Sequence, residues 1–172
     1  MPGTTIGINM NYGYPGQASR HGDEVSRTRA VAADSADIKF GAPVAMGDDG
    51  TVHAWTATDK AEAFAGIAMR KVKSSVIWPY QDWGVYRASE PCDMLQRGGV
   101  SALCAWGTPK VNGTVYVRTK VVSGTSPAGA AIGDLGADNE AGNCIELTGV
   151  KWSSDADARN VAELTILTRQ GV

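Results

Sequence analysis

His21 and His53 are the two histidines of this 172-residue chain, so acid–base or nucleophilic chemistry near neutral pH has few groups to work with. His21 lies in a Gly- and Asn-rich stretch, and His53 occupies an outward position of a strand-like run. Neither has a Cys or Asp partner at a spacing that suggests a triad or a metal site. Triads assemble in space rather than along the chain, but no Gly-x-Ser-x-Gly elbow accompanies the serines. The three cysteines, Cys92, Cys104 and Cys144, are odd in number and widely spaced. That argues against a disulfide framework and against zinc, and it makes a reducing cytoplasm the expected place of synthesis. Asp134, Asp138 and Glu140, with Asp155 and Asp157, have the composition of calcium loops without the ligand spacing or the bidentate Glu of an EF-hand. Solvated loops are the expectation there. Asn112-Gly113-Thr114 fits a glycosylation acceptor, yet a tight turn explains the same residues. A glycine-rich phosphate cradle is absent. The sequence reads as no enzyme, with no catalytic residue, cofactor or metal.

What remains is to ask what elements such a chain builds. Its length fits one domain that buries roughly two thirds of its unfolded surface. Apolar residues make up 43% and charged residues 20%, ordinary values for a globular protein, while 21 glycines favour many turns and few helices. A net charge of −2 gives no case for a nucleic-acid partner. No apolar run approaches membrane-spanning length, so no membrane partner is expected.

Two stretches share a grammar at an offset of 66 residues. Phe40-Gly41 matches Trp106-Gly107, and Ala42-Pro43 matches Thr108-Pro109. After a turn, Gly50-Thr51-Val52-His53-Ala54 matches Gly113-Thr114-Val115-Tyr116-Val117. Further on, Gly66-Ile67 pairs with Gly149-Val150, and Met94-Leu95-Gln96-Arg97 with Ile166-Leu167-Thr168-Arg169. Matched anchors in one order predict a duplicated β unit, about residues 35–97 and 101–169. Asn112-Gly113 predicts a hairpin turn between residues 101–109 and 114–121. In the second of these runs Val115 and Val117 point inward, with Tyr116 and Arg118 outward or into an interface. Leu164 and Ile166 join the expected core. The fold class is therefore all-β, a compact barrel or sandwich over residues 31–172. Residues 57–65 are expected to form at most a helical turn, capped by Asp59 with Glu62.

Residues 1–30 are polar and rich in Gly and Asn, with too little apolar surface to fold alone. They read as an extended N-terminal arm rather than a frayed end, because Tyr12, Tyr14, Arg20, Arg27 and Arg29 are residues that carry interface energy. Trp78, Tyr80 and Trp83 form a dense aromatic cluster. A hydrophobic plug over one end of the core explains it, and a sugar-stacking or partner platform is the alternative. Residues 123–143 are a long Gly-, Ala- and Asp-rich loop, the least structured segment expected.

Certain of these segments resemble a known family. They are Gly41-Ala42-Pro43-Val44 with Asp49-Gly50-Thr51-Val52, the Phe-Ala-Gly-Ile-Ala of residues 64–68, and the Gly-Thr-Pro-Lys-Val-Asn-Gly-Thr-Val-Tyr-Val-Arg of residues 107–118. Tyr14-Pro15-Gly16, Ser19-Arg20, Arg27-Thr28-Arg29 and the Asn-Val-Ala-Glu-Leu-Thr-Ile-Leu of residues 160–167 extend the likeness. Together they resemble tailed-phage structural cement proteins, which are capsid decoration proteins. The resemblance implies a virion protein on the outside of an expanded icosahedral shell, bridging neighbouring subunits of the major capsid protein. From decoration proteins generally it also implies self-association, a homotrimer above other states. It brings no catalytic residues. The rival functions are a carbohydrate-binding module or a tail-associated β module built on Trp78, Tyr80 and Trp83.

Overall fold

The computed structural model describes residues 11–71, 84–121 and 130–170. In chain order the strands begin with β1 (Ala18–Ala30), β2 (Ile38–Lys39), β3 (Pro43–Met46) and β4 (Val52–Ala54). A single 3-10 turn, Ala61–Ala63, precedes β5 (Phe64–Ala68) and β6 (Val85–Tyr86). Then come β7 (Pro91–Trp106), β8 (Gly113–Arg118), β9 (Leu135–Gly136), β10 (Cys144–Trp152) and β11 (Val161–Ile166). No helix among the described residues is long and apolar enough to cross a membrane.

The 16-residue β7 is the spine. Its second half belongs to a closed five-stranded barrel ordered β7-β9-β8-β10-β11. The circuit closes where β11 returns to β7, from Val161 opposite Leu103 to Ile166 opposite Gly98. Its first half pairs with β5 on one side and β1 on the other, and β5 leads on to β3 and β4. The sequence presents residues 91–97 and 98–106 as two elements back to back; the structure joins them without a break.

Alternation sorts the side chains. Val115, Val117, Leu164 and Ile166 are 0–1% exposed and pack with Trp152, Leu147 and Val150 inside the barrel, as expected of them. Each such aliphatic side chain contributes about 1.5–3 kcal/mol by leaving water. All five residues of β5 are buried because the sheet around it is covered on both faces. Phe64 and Ile67 face the barrel core, while Ala65 and Ala68 face a second core with Val44, Val52, Met94 and Tyr86. Gly66 lies between the two at φ +150, where a Cβ would come within 2.2 Å of the Leu95 carbonyl oxygen.

Several local expectations change. The turn at Asn112-Gly113 forms, with Asn112 at φ 65 and Gly113 N–H bonded to Lys110 O at 2.8 Å. It does not make a hairpin, because β8 pairs with β10 and β9 rather than with β7. The segment expected to be least ordered supplies β9, which runs parallel to β7 and antiparallel to β8 and so completes the barrel. Asp59 does not cap the 3-10 turn, whose N-cap is Lys60; its carboxylate accepts from Thr56 N–H at 2.7 Å instead.

The matched halves agree in some respects and differ in others. Gly41 and Gly107 share a left-handed conformation, φ 80 and 79. Gly66 and Gly149 both lie beside a slip in strand register. Pairing differs, since β4 bonds to β3 whereas its counterpart β8 bonds to β10.

Candidate functional site

The groups that sequence chemistry singles out are spent on the fold. Burial pushes the Cys104 thiol up to about 11, and it donates to Trp106 O at 3.1 Å, so it is no thiolate near neutral pH. His53 does have an acidic partner, which the sequence reading missed: its Nε2 lies 3.2 Å from Asp59 Oδ1. That pair borders an open groove of about 440 Å³ with Asp34 and Asp49. Among the described residues no cluster of His, Cys, Asp or Glu has the makings of a metal site. The acidic loop residues are also engaged. Asp134 accepts from Ala131 N–H at 2.6 Å, and Glu140 binds Arg118 through both oxygens, at 2.9 and 3.1 Å.

Arg118 corrects an expectation. Alternation puts it outside the barrel with Tyr116, and there it is, yet it is 0% exposed. The outer face at that point is covered by residues 130–144, which form a small core of Ala130, Cys144 and Trp106. Burying a guanidinium requires a carboxylate and further hydrogen bonds. Glu140 supplies the first, and the Trp106 ring lies 4.2 Å beneath the guanidinium carbon.

The N-terminal candidates converge differently. Residues 12–20 and 25–30 are hydrogen-bonded to or paired with the body, so the chain seats itself well before residue 30. Tyr14-Pro15-Gly16-Gln17 makes a turn, Gln17 N–H to Tyr14 O at 3.0 Å, with Gly16 at φ 82 as a type II turn requires. The turn fits closely: a Cβ on Gly16 would meet Arg70 N at 2.7 Å, and one on Gly41 would meet Pro15 Cβ at 2.6 Å. Gly16 N–H donates to Ser101 O at 2.7 Å, Arg70 N–H donates to Gly16 O at 2.7 Å, and Ser101 Oγ donates to Tyr12 O at 2.6 Å.

At this seat two guanidiniums lie over the Tyr14 ring, with Arg70 Cζ 4.2 Å and Arg159 Cζ 5.2 Å from its centroid. Arg159 also donates to Gly13 O at 2.8 Å. Tyr12 and Tyr14 nonetheless remain 39% and 53% exposed. Burial alone would push the Asp157 carboxyl up. Backbone N–H groups of Val161, Arg159 and Tyr12, with the Arg159 charge, outweigh it and hold the group below its ordinary range.

The other candidates are separate from this centre. Arg27 is exposed on β1, in register with Met94 of β7. Arg29 is half-buried and donates to Gly50 O at 2.9 Å, a structural use. Arg20 pairs through its backbone with Gly99. Trp78, Tyr80 and Trp83 lie outside the described residues. Arg70 and Arg159 escaped the sequence reading because nothing local relates either to a tyrosine so far along the chain.

The comparison along the whole chain decides the family. Residues 2–167 match the family described as "Structural cement protein (E217 gp24/Pam3 gp6)". The chain belongs to the phage structural cement family. A chain solved in "The capsid of Myoviridae Phage XM1" has a TM-score of 0.71 and 16% identity, covering 98% of this cement protein and 99% of that chain. At this identity the likeness is one of fold. None of the curated proteins matches the cement protein. Its role is structural, in the phage capsid.

Proposed function

We propose that the protein binds the outer surface of the expanded capsid and bridges neighbouring major capsid subunits, as a homo-oligomer, with a trimer favoured over other states. The observation that carries this reading is the family match over residues 2–167, nearly the full chain. The geometry is in keeping with it. The buried polar residues serve internal ties, as Arg118 does with Glu140, while the exposed tyrosines stand on a braced surface. The function needs no catalysis, and we read the protein as a static adhesive without enzymatic activity. Cementing sums modest contacts over many copies, and a shell supplies the multiplicity.

The same reading treats residues 31–172 as one domain derived from a duplication of about 35–97 and 101–169, with 1–30 as an arm whose β1 is laid along β7. The shared glycine conformations at Gly41 and Gly107 support the duplication. The experiment is reconstitution. Purified protein is added to expanded shells that lack it, occupancy and subunit contacts are read by cryo-electron microscopy, and resistance to heat and osmotic shock is measured. Bound copies spanning two capsid subunits, with a gain in resistance, are expected. Shells that remain bare at micromolar protein overturn the reading.

A further inference from the structure

The surface around Tyr14 has a cost that core packing does not explain. Two closely opposed glycines, Gly16 and Gly41, are needed to seat the turn. The Asp157 side chain is 5% exposed and devoted to backbone N–H groups and Arg159. What these ties hold in place is a tyrosine more than half exposed, with guanidiniums over its ring. A core aromatic would be braced in order to be buried; this one is braced and displayed. Tyrosine and arginine held rigidly at a surface are the residues that anchor interfaces, because little conformational freedom remains to be lost on binding.

Charge then narrows the partner. Arg70 and Lys71 are exposed, and Arg159 is 44% exposed. The acidic residue closest in the network is Asp157, whose oxygens are already taken by Tyr12, Arg159 and Val161 N–H groups. The patch is therefore cationic on a chain whose net charge is −2. A guanidinium stacked on a ring can still fork its edge N–H groups onto a carboxylate, and Arg70 is the one placed to do so, since Arg159 already donates to Gly13 O.

We infer that Tyr12, Tyr14, Arg70 and Arg159 form the face that seats on the capsid, and that its partner is an acidic, carboxylate-bearing segment of the capsid subunit. This rests on the capsid-binding reading and adds to it the surface and the chemistry of its partner. The stack positions both arginines; Arg70 supplies the charge-assisted bonds and Arg159 adds positive charge.

The test uses the full chain and expanded shells lacking it. Arg70→Glu alters an exposed side chain while leaving the Arg70 N–H bond to Gly16 in place, and Arg70→Gln is the milder companion; Tyr14→Ala removes the ring. Both Arg70 variants should keep the wild-type circular dichroism and melting temperature. R70E should bind shells at least tenfold more weakly, R70Q by less, and Y14A by a similar factor to R70E. Wild-type binding should weaken with salt, less steeply for R70Q, and poly-glutamate should compete where poly-lysine does not. If the wild-type chain binds and all three variants bind as well, this face is not the seat, and the functional reading survives. If the variants instead lose self-association while single copies still bind, the face joins copies of this chain and the acidic capsid partner is wrong. If the wild-type chain binds no shell, both readings fall together.

Discussion

Arg118 lies with its guanidinium carbon 4.2 Å above the Trp106 ring, and the pair joins the exit of β8 to the end of β7. Trp106 Nε1 donates to Asp138 O at 2.8 Å, and Glu140 receives both terminal nitrogens of Arg118. One stacked pair thus holds residues 138–140 against the barrel. Gly136 of β9 lies directly on the same ring, since a Cβ there would come within 2.1 Å of it. Barrel closure and the buried ion pair are therefore one device.

Arg118→Ala should open that device. Glu140 keeps 23% side-chain exposure, so the loss should be about 2–3 kcal/mol, below the roughly 3–5 kcal/mol of a fully buried pair. Urea denaturation should report it, and limited proteolysis should gain cleavage within residues 130–143. A variant that resists protease as the wild type does would show that β9 is held by something else.

Val117→Asp should cost several kcal/mol, because it places an unpaired charge among side chains that are 0% exposed. Failure to express in soluble form, or a large fall in melting temperature, is the expected outcome. An unchanged melting temperature would contradict the barrel core.

How much of this is legible in sequence follows from what makes a signal. Val115 and Val117 alternate with polar neighbours against a buried interior, so period two reveals them. The same alternation places Arg118 outside correctly, but exposure also depends on whether another segment covers that face. Residues 130–144 do, and they lie too far along the chain for any local pattern to say so. β1 goes unseen for a related reason: Ser26, Arg27 and Thr28 are all exposed, so an edge strand that buries little has no apolar rhythm. β9 is two residues held by neighbours on both sides, a product of closure rather than of propensity. Tyr12 and Tyr14 stand out in the sequence by residue type alone; the arginines over the Tyr14 ring do not, because only the fold brings them there.

Asp157 makes the N-terminal turn sensitive to acid. Its folded pKa lies below the ordinary 3.8, so the carboxylate form is the one the fold stabilises. The contribution is complete above that ordinary value and is lost as pH falls through the lower folded one. Amide exchange at Tyr12, corrected for its intrinsic rate, should quicken as pH falls below about 4 while exchange in β8 and β10 does not. Asp157→Asn should quicken it at neutral pH and flatten the dependence. Equal acid response in both regions would point to global unfolding instead.

Truncation separates two roles within residues 1–30. A cut after residue 10 leaves every described bond of the seat intact, from Tyr12 N–H on Asp157 to the β1 ladder on β7. That variant should keep the wild-type melting temperature, and any fall in shell occupancy measures contacts made by residues 1–10 alone. A cut after residue 30 strips β1 from β7 and removes the ring that Arg70 and Arg159 stack on. It exposes the backbone edge of β7 opposite β5, where unmet N–H and C=O groups invite aggregation. The longer deletion should therefore lower the melting temperature by several degrees and abolish binding together. If it melts as the wild type does, β1 adds nothing to the body, and residues 1–30 act as a separable arm after all.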